Sequence, residues 1–196
     1  MMAFKRKHIV IVALPLCGMA ILAWAIGSYL SNRAKQEQYQ QALAQQYDKV
    51  LDVAYPLLKN YAIAINDKVD SIETIARKAI EEPRYDYHEA FFIRWQRYSH
   101  TESGMKGFVL LEEYQYFRMS PIFKFLMNAC DKRKKEAEAI QKMTMAGQLL
   151  LDPVQLPYDS LMSVTKQARQ LISDGLEVIE PYHSENTNIR AWRNIR

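Results

Sequence analysis

The chain has 196 residues, 26 basic and 22 acidic side chains and four histidines, for a formal net charge of +4. That length fits one ordinary domain plus a short appendage, and five of the basic residues (Lys5, Arg6, Lys7, Arg33, Lys35) fall in the first 35 positions with no acid among them. The remainder holds 21 basic against 22 acidic residues, which excludes the one-sided basic footprint of a nucleic-acid binder, and two cysteines, Cys17 and Cys130, are too few for a disulfide framework or a cysteine-rich zinc site.

Residues 1–8 read as a short cytoplasmic N-terminus. The run from Ile9 to Leu30 has 22 residues and no charge, against about 20 needed to cross a bilayer core as a helix. Three patterns compete within it. Leu14-Pro15-Leu16-Cys17 has the form of a lipobox, but Leu16 stands where a small residue belongs, and the apolar run continues past Cys17. Ala23-Trp24-Ala25 has the small-x-small form of a cleavage site behind a basic segment and a 14-residue apolar stretch. Apolar character nevertheless persists through Ile26, Tyr29 and Leu30, and Trp24 and Tyr29 sit where aromatic residues favour a membrane interface. The reading is an uncleaved transmembrane signal anchor, with a cleaved signal peptide and a soluble periplasmic product as the alternative. Basic residues on the N-terminal flank favour a cytoplasmic N-terminus, so the rest of the chain is expected outside the inner membrane. Ala13, Cys17, Ala20, Ala23 and Gly27 are small residues for packing one such helix on another, a route to homo-oligomers.

Residues 31–46 are polar and glutamine-rich without Gly or Pro, and read as a helical stalk. The helical domain is expected over 47–182. Its first stripe begins at Tyr39 and Leu43, then runs Tyr47, Val50, Ala54, Leu57, Tyr61, Ile65, Val69, Ile72, Ala76 and Ile80, spaced three and four apart. Pro56 lies inside the stripe and is expected to kink or divide that helix. Pro83 ends it. Tyr87, Phe91, Trp95 and Tyr98 mark one face of a second helix and are the candidates for an aromatic groove, with Arg94, Arg97 and Arg118 nearby. Thr101 to Gly107 reads as a loop before a short helix. Ser120-Pro121 reads as an N-cap with proline at the first helical position. Lys132 to Lys135 and the following Glu136 form an exposed charged segment on the helix after Pro121. Asp152-Pro153 and Pro157 mark a turn, Asp159 is expected to cap the last helix, and Leu161, Val164, Ala168, Leu171, Gly175 and Val178 its buried face. Val/Ile/Thr alternation of the strand type does not stand out. The fold class is therefore all-α, an N-terminal transmembrane helix followed by a helical bundle of four to six helices.

The chemistry-bearing motifs are sparse. Asp86, His88, Glu89, His100 and Glu102 form the one acid and histidine cluster, with neither H-E-x-x-H nor paired E-x-x-H spacing on helices. There is no G-x-S-x-G and no phosphate-cradling glycine loop. No cofactor and no catalysis are expected. The tail, 183–196, repeats Ile189-Arg190, Trp192-Arg193 and Ile195-Arg196, an amphipathic pattern with Ile189, Arg190, Trp192, Arg193 and Ile195 as candidate partner contacts. The expected function is a single-pass membrane protein whose extracytoplasmic helical domain is a non-catalytic interaction or scaffold subunit of a membrane or envelope assembly. The alternative is a sensor-like helical module with an aromatic ligand pocket.

Overall fold

The computed structural model describes the backbone of residues 3–129 and 131–180, and side chains within them from residue 24 onward. It is all-helical. Six α-helices follow one another among the described residues: α1 (Ala3–Ile80), α2 (Tyr87–Ser99), α3 (Glu102–Arg118), α4 (Pro121–Met127), α5 (Lys134–Leu149) and α6 (Tyr158–Ile179). Short 3₁₀ turns at Asp131–Arg133 and Pro153–Gln155 lead into α5 and α6. The chain divides into two compact units, Met1–Leu43 and Ala44–Arg196.

The first unit is the leading part of α1. Trp24, Ile26, Tyr29 and Leu30 are exposed on it, and Arg33 pairs with Glu37 one turn on at 3.2 Å. Tyr39, expected at the head of the buried stripe, also lies here and is exposed. Among the described residues no helix is long and apolar enough to cross a membrane. The expected spanning run, 9–30, has described side chains only for its last seven residues.

In the second unit, the stripe of α1 is the axis of the core. Tyr47, Ala54, Leu57, Tyr61, Ile65, Val69, Ile72 and Ala76 are all buried, and Leu51, Leu58 and Ala62 widen the face. Only Ile80, the last residue of the helix, turns out to solvent. Pro56 does not divide α1, contrary to the sequence expectation. A mid-helix proline costs about 3 kcal/mol, and the buried Ala54, Tyr55, Leu57 and Leu58 around it hold the turn in place.

Three helices pack along this part of α1. α5 runs parallel to it, from a forked Arg133–Asp48 pair at 2.7 Å to Gly147, where an added Cβ would collide with the Tyr61 hydroxyl. α6 runs back: Tyr158 packs edge-on to Tyr87, Arg169 reaches Asp70 at 2.9 Å, and Glu180 acts electrostatically on Tyr55. Gly175 lets α6 approach α5, since a Cβ there would strike Met143. α3 also runs antiparallel to α1, with Tyr114 stacked on Tyr61 at 3.6 Å.

Four local expectations change. Thr101–Gly107 is not a loop but the start of the 17-residue α3. Thr101 caps it by accepting from the Gly104 N–H at 3.1 Å, and Gly104 fits because its missing Cβ leaves room for the Tyr98 carbonyl. Asp159 does not cap α6: the cap position is Pro157, and Asp159 sits in the first turn, where its charge still favours the helix dipole. The buried face of α6 is Leu161, Thr165, Ala168, Ile172, Gly175 and Ile179, and Val178 is exposed, because the helix turns one residue further into the core than apolarity alone implied. The basic run follows α4 as a 3₁₀ turn and the start of α5, and it is not uniformly exposed: Arg133 is half-buried on Asp48 and Glu136 is buried beside it. Ser120 caps α4 as expected, accepting from the Phe123 N–H at 3.2 Å with Pro121 following.

The Tyr61–Tyr114 stack sets an alkaline limit on stability. Burial pushes the Tyr114 phenol up to about 12, although its 2.7 Å bond to Thr144 opposes the shift, and burial lifts Tyr61 in the same direction. The unfolded chain, with tyrosines near 10.0, releases these protons first, so this contribution is complete below pH 10 and falls as pH rises toward 12. For Tyr114 alone the loss approaches about 1.4 kcal/mol per pH unit. Urea unfolding at pH 9 and pH 11 is expected to show the midpoint dropping, and an unchanged midpoint removes the coupling.

Candidate functional site

The aromatic row on α2 runs from the interior to the surface. Asp86 starts the helix by accepting from the Glu89 N–H at 2.9 Å. Phe91 is fully buried, and Tyr87 packs against it and against Tyr158, so both belong to the core side. Trp95 stacks over Phe91 with ring centres 6.2 Å apart, and Tyr98 follows at 5.4 Å from Trp95. Only these last two reach a surface recess. Its other walls include Ala64 and Lys68 of α1 and Gly104 and Phe108 of α3. Tyr98 also borders two adjoining crevices of about 410 Å³ and 390 Å³ along α1.

Lys68 is the unusual group. Its Nζ stands 5.9 Å from the centre of the Trp95 ring, within cation–π range. Burial pushes its ammonium below the usual lysine range, and it forms no ion pair with a described carboxylate. Asp67, next to it on α1, lines the same recess and is likewise free of a described cation. Asp70 in the neighbouring crevice is engaged by Arg169, while Lys106 lies on the opposite wall.

A second feature lies on α3. Met105, Phe108, Val109, Tyr116 and Met119 are 53%, 46%, 60%, 54% and 67% exposed. Their spacing places them on one side of the helix, around the exposed Glu112 and opposite the buried Tyr114 and Phe117, with Phe108 at the edge beside Gly104. α3 is apolar on two faces and the bundle covers one.

The acid and histidine cluster is not brought together. Asp86 is a helix cap, His88 sits in the first turn of α2 with Nδ1 3.2 Å from the Val154 carbonyl, and His100 lies at the far end of that helix. Among the described residues there is no group of three metal-binding side chains. Arg94 is tied to Glu82 at 3.0 Å and Arg118 to Gln115 at 3.3 Å, whereas Arg97 borders a crevice. The tail candidates Ile189, Arg190, Trp192, Arg193 and Ile195, together with Cys130, lie outside the described residues, as do the side chains of Ala13, Cys17, Ala20 and Ala23. Gly27 has open space around it.

Sequence reading missed Lys68, because a lysine between Ile65 and Val69 carries no signal of what faces it. It also missed the outer stripe of α3, although the spacing of Met105, Phe108, Val109, Tyr116 and Met119 contains it. Comparison with protein-family models, with curated proteins and with solved structures finds no match.

Proposed function

We propose that the chain is a single-pass membrane protein whose helical body, held outside the cytoplasm, is a non-catalytic interaction subunit of a membrane or envelope assembly. The observation that supports the interaction reading is the set of solvent-facing apolar side chains on α3, Met105, Phe108, Val109, Tyr116 and Met119, which surround a single carboxylate, Glu112, since large apolar side chains grouped on a surface mark contact sites. The anchoring reading rests on the 22 uncharged residues of 9–30 and the basic residues before them. Exposed Trp24 and Tyr29 suit a membrane interface. Anchoring confines the body to the membrane and raises its effective concentration toward partners there.

Native mass spectrometry on the protein released gently from its own membranes tests both parts. The expected result is the full-length chain, residues 9–30 included, flying with defined protein partners. A chain cut after Ala25 overturns the anchor, and a full-length chain flying alone overturns the subunit reading.

A further inference from the structure

The outer face of α3 carries Met105, Val109, Tyr116 and Met119 around the exposed Glu112, whose carboxylate accepts from the Tyr116 hydroxyl at 3.4 Å. Covering this face takes water from Glu112, and a buried carboxylate left unpaired is costly. The fitting occupant is therefore apolar and brings a cation to the middle of the face. A second copy of the same face does not qualify. Glu112 stands midway between Met105 and Met119, so pairing the face with itself sets two Glu112 carboxylates against each other.

The chain itself holds a segment of that composition. Ile189, Trp192 and Ile195 are each followed by an arginine, and residues 188–196 contain no acid. Residues 181–196 lie outside the described ones, but the point from which they leave is described. α6 ends at Ile179 with Glu180 as its cap, and Glu180 acts electrostatically on Tyr55 of α1. α3 starts beside Ala64 and Lys68 of α1 and reaches Tyr61 at Tyr114. Tyr61 is about 9 Å along α1 from Tyr55, and α3 continues past it toward the Tyr55 end through Tyr116 and Met119. The C-terminal ends of α3 and α6 therefore lie at one end of the bundle. Residues 181–188 reach about 26 Å when extended, against about 8–10 Å between the axes of neighbouring helices. We propose that residues 189–196 dock on the outer face of α3 of the same chain, with their Ile and Trp side chains against Val109, Tyr116 and Met119 and an arginine on Glu112. A docked tail closes the face, so a partner gains it only by displacing the tail. That consequence rests on the interaction reading; the contact itself is intramolecular and is measured without a partner.

The test uses the full-length chain in lipid nanodiscs, with Cys17→Ala and Cys130→Ala, and Val109→Cys as a reporter thiol alkylated by N-ethylmaleimide. The readout is protection, the alkylation rate without residues 188–196 divided by the rate in the full chain, a ratio that cancels the intrinsic reactivity of the thiol. Protection is expected to be at least fivefold. Glu112→Lys, which repels the arginines, is expected to lower it below twofold. Adding Arg190→Glu, Arg193→Glu and Arg196→Glu to Glu112→Lys is expected to restore it to threefold or more. A reporter from Leu151→Cys, exposed at the end of α5, is expected to show a ratio near one, which separates covering from loss of fold on truncation. Protection below twofold at Val109→Cys, equal protection with and without Glu112→Lys, an equal ratio at Leu151→Cys, or protection that falls on tenfold dilution, the mark of a second copy's tail, overturns the docking. Lost protection with partner complexes intact rejects the docking and leaves the interaction reading. Full protection in a chain that flies alone does the reverse.

Discussion

Placing two carboxylates on the outer face of α3, as Val109→Glu with Tyr116→Glu, is expected to reduce recovery of partner complexes at least tenfold while leaving the fold intact. Both side chains are more than half exposed, and neither lines the recess beside Lys68. Removing them takes nothing from the core, and Glu is as good a helix former as either. Glu112 and Glu113 stand three or four residues from each new carboxylate, and the four added like-charge pairs are expected to cost about 1–2 kcal/mol in all. At an interface, the same two positions would bury unpaired charge, which costs several times more. Native mass spectrometry of wild type and variant from the same membranes reads the difference. Equal complex yield would remove α3 as the contact face, and a large fall in thermal midpoint would show that the stripe serves folding instead.

The largest expected stability effect lies one residue away. Phe117 has none of its surface exposed, meets Phe123 edge-on at 5.5 Å and lies 5.9 Å from Tyr114. It joins α3 to α4 within the buried core. Phe117→Ala removes that contact and leaves a cavity that the aromatic neighbours cannot close, for an expected loss of about 3–5 kcal/mol. That is a large part of the roughly 5–15 kcal/mol that holds a domain folded. Tyr116→Ala, on the opposite face, is expected to cost less than about 1 kcal/mol, since its hydroxyl makes only an exposed 3.4 Å contact to Glu112. Urea melts of the two variants should differ severalfold in stability loss. Equal losses would mean that α3 does not present the two faces described.

Much of the architecture was legible because helices announce themselves locally. The spacing of Tyr47, Ala54, Leu57, Tyr61, Ile65 and Val69 identified the buried face of α1, and Ser120-Pro121 identified the start of α4. Both depend on residues within a turn or two of each other. The failures have the same physical origin in reverse. Pro56 and Gly104 read locally as breaks, yet tertiary packing holds the helix through each, around one by buried Leu57 and Leu58 and around the other by a close approach to the Tyr98 carbonyl.

What the sequence determined by itself was therefore the class, the helix faces with strong period, and the uncharged 22-residue run near the N-terminus. What only the tertiary structure decided was which apolar faces are covered and which charges are left over. Phe91 and Trp95 share one helical face, but α2 meets the bundle so that the first is sealed and the second reaches the recess. Arg133 and Asp48 are 85 positions apart and pair, while Lys68 finds the Trp95 ring instead of a described carboxylate. Burial and charge pairing are sums over neighbours from distant segments, and no local pattern carries that sum.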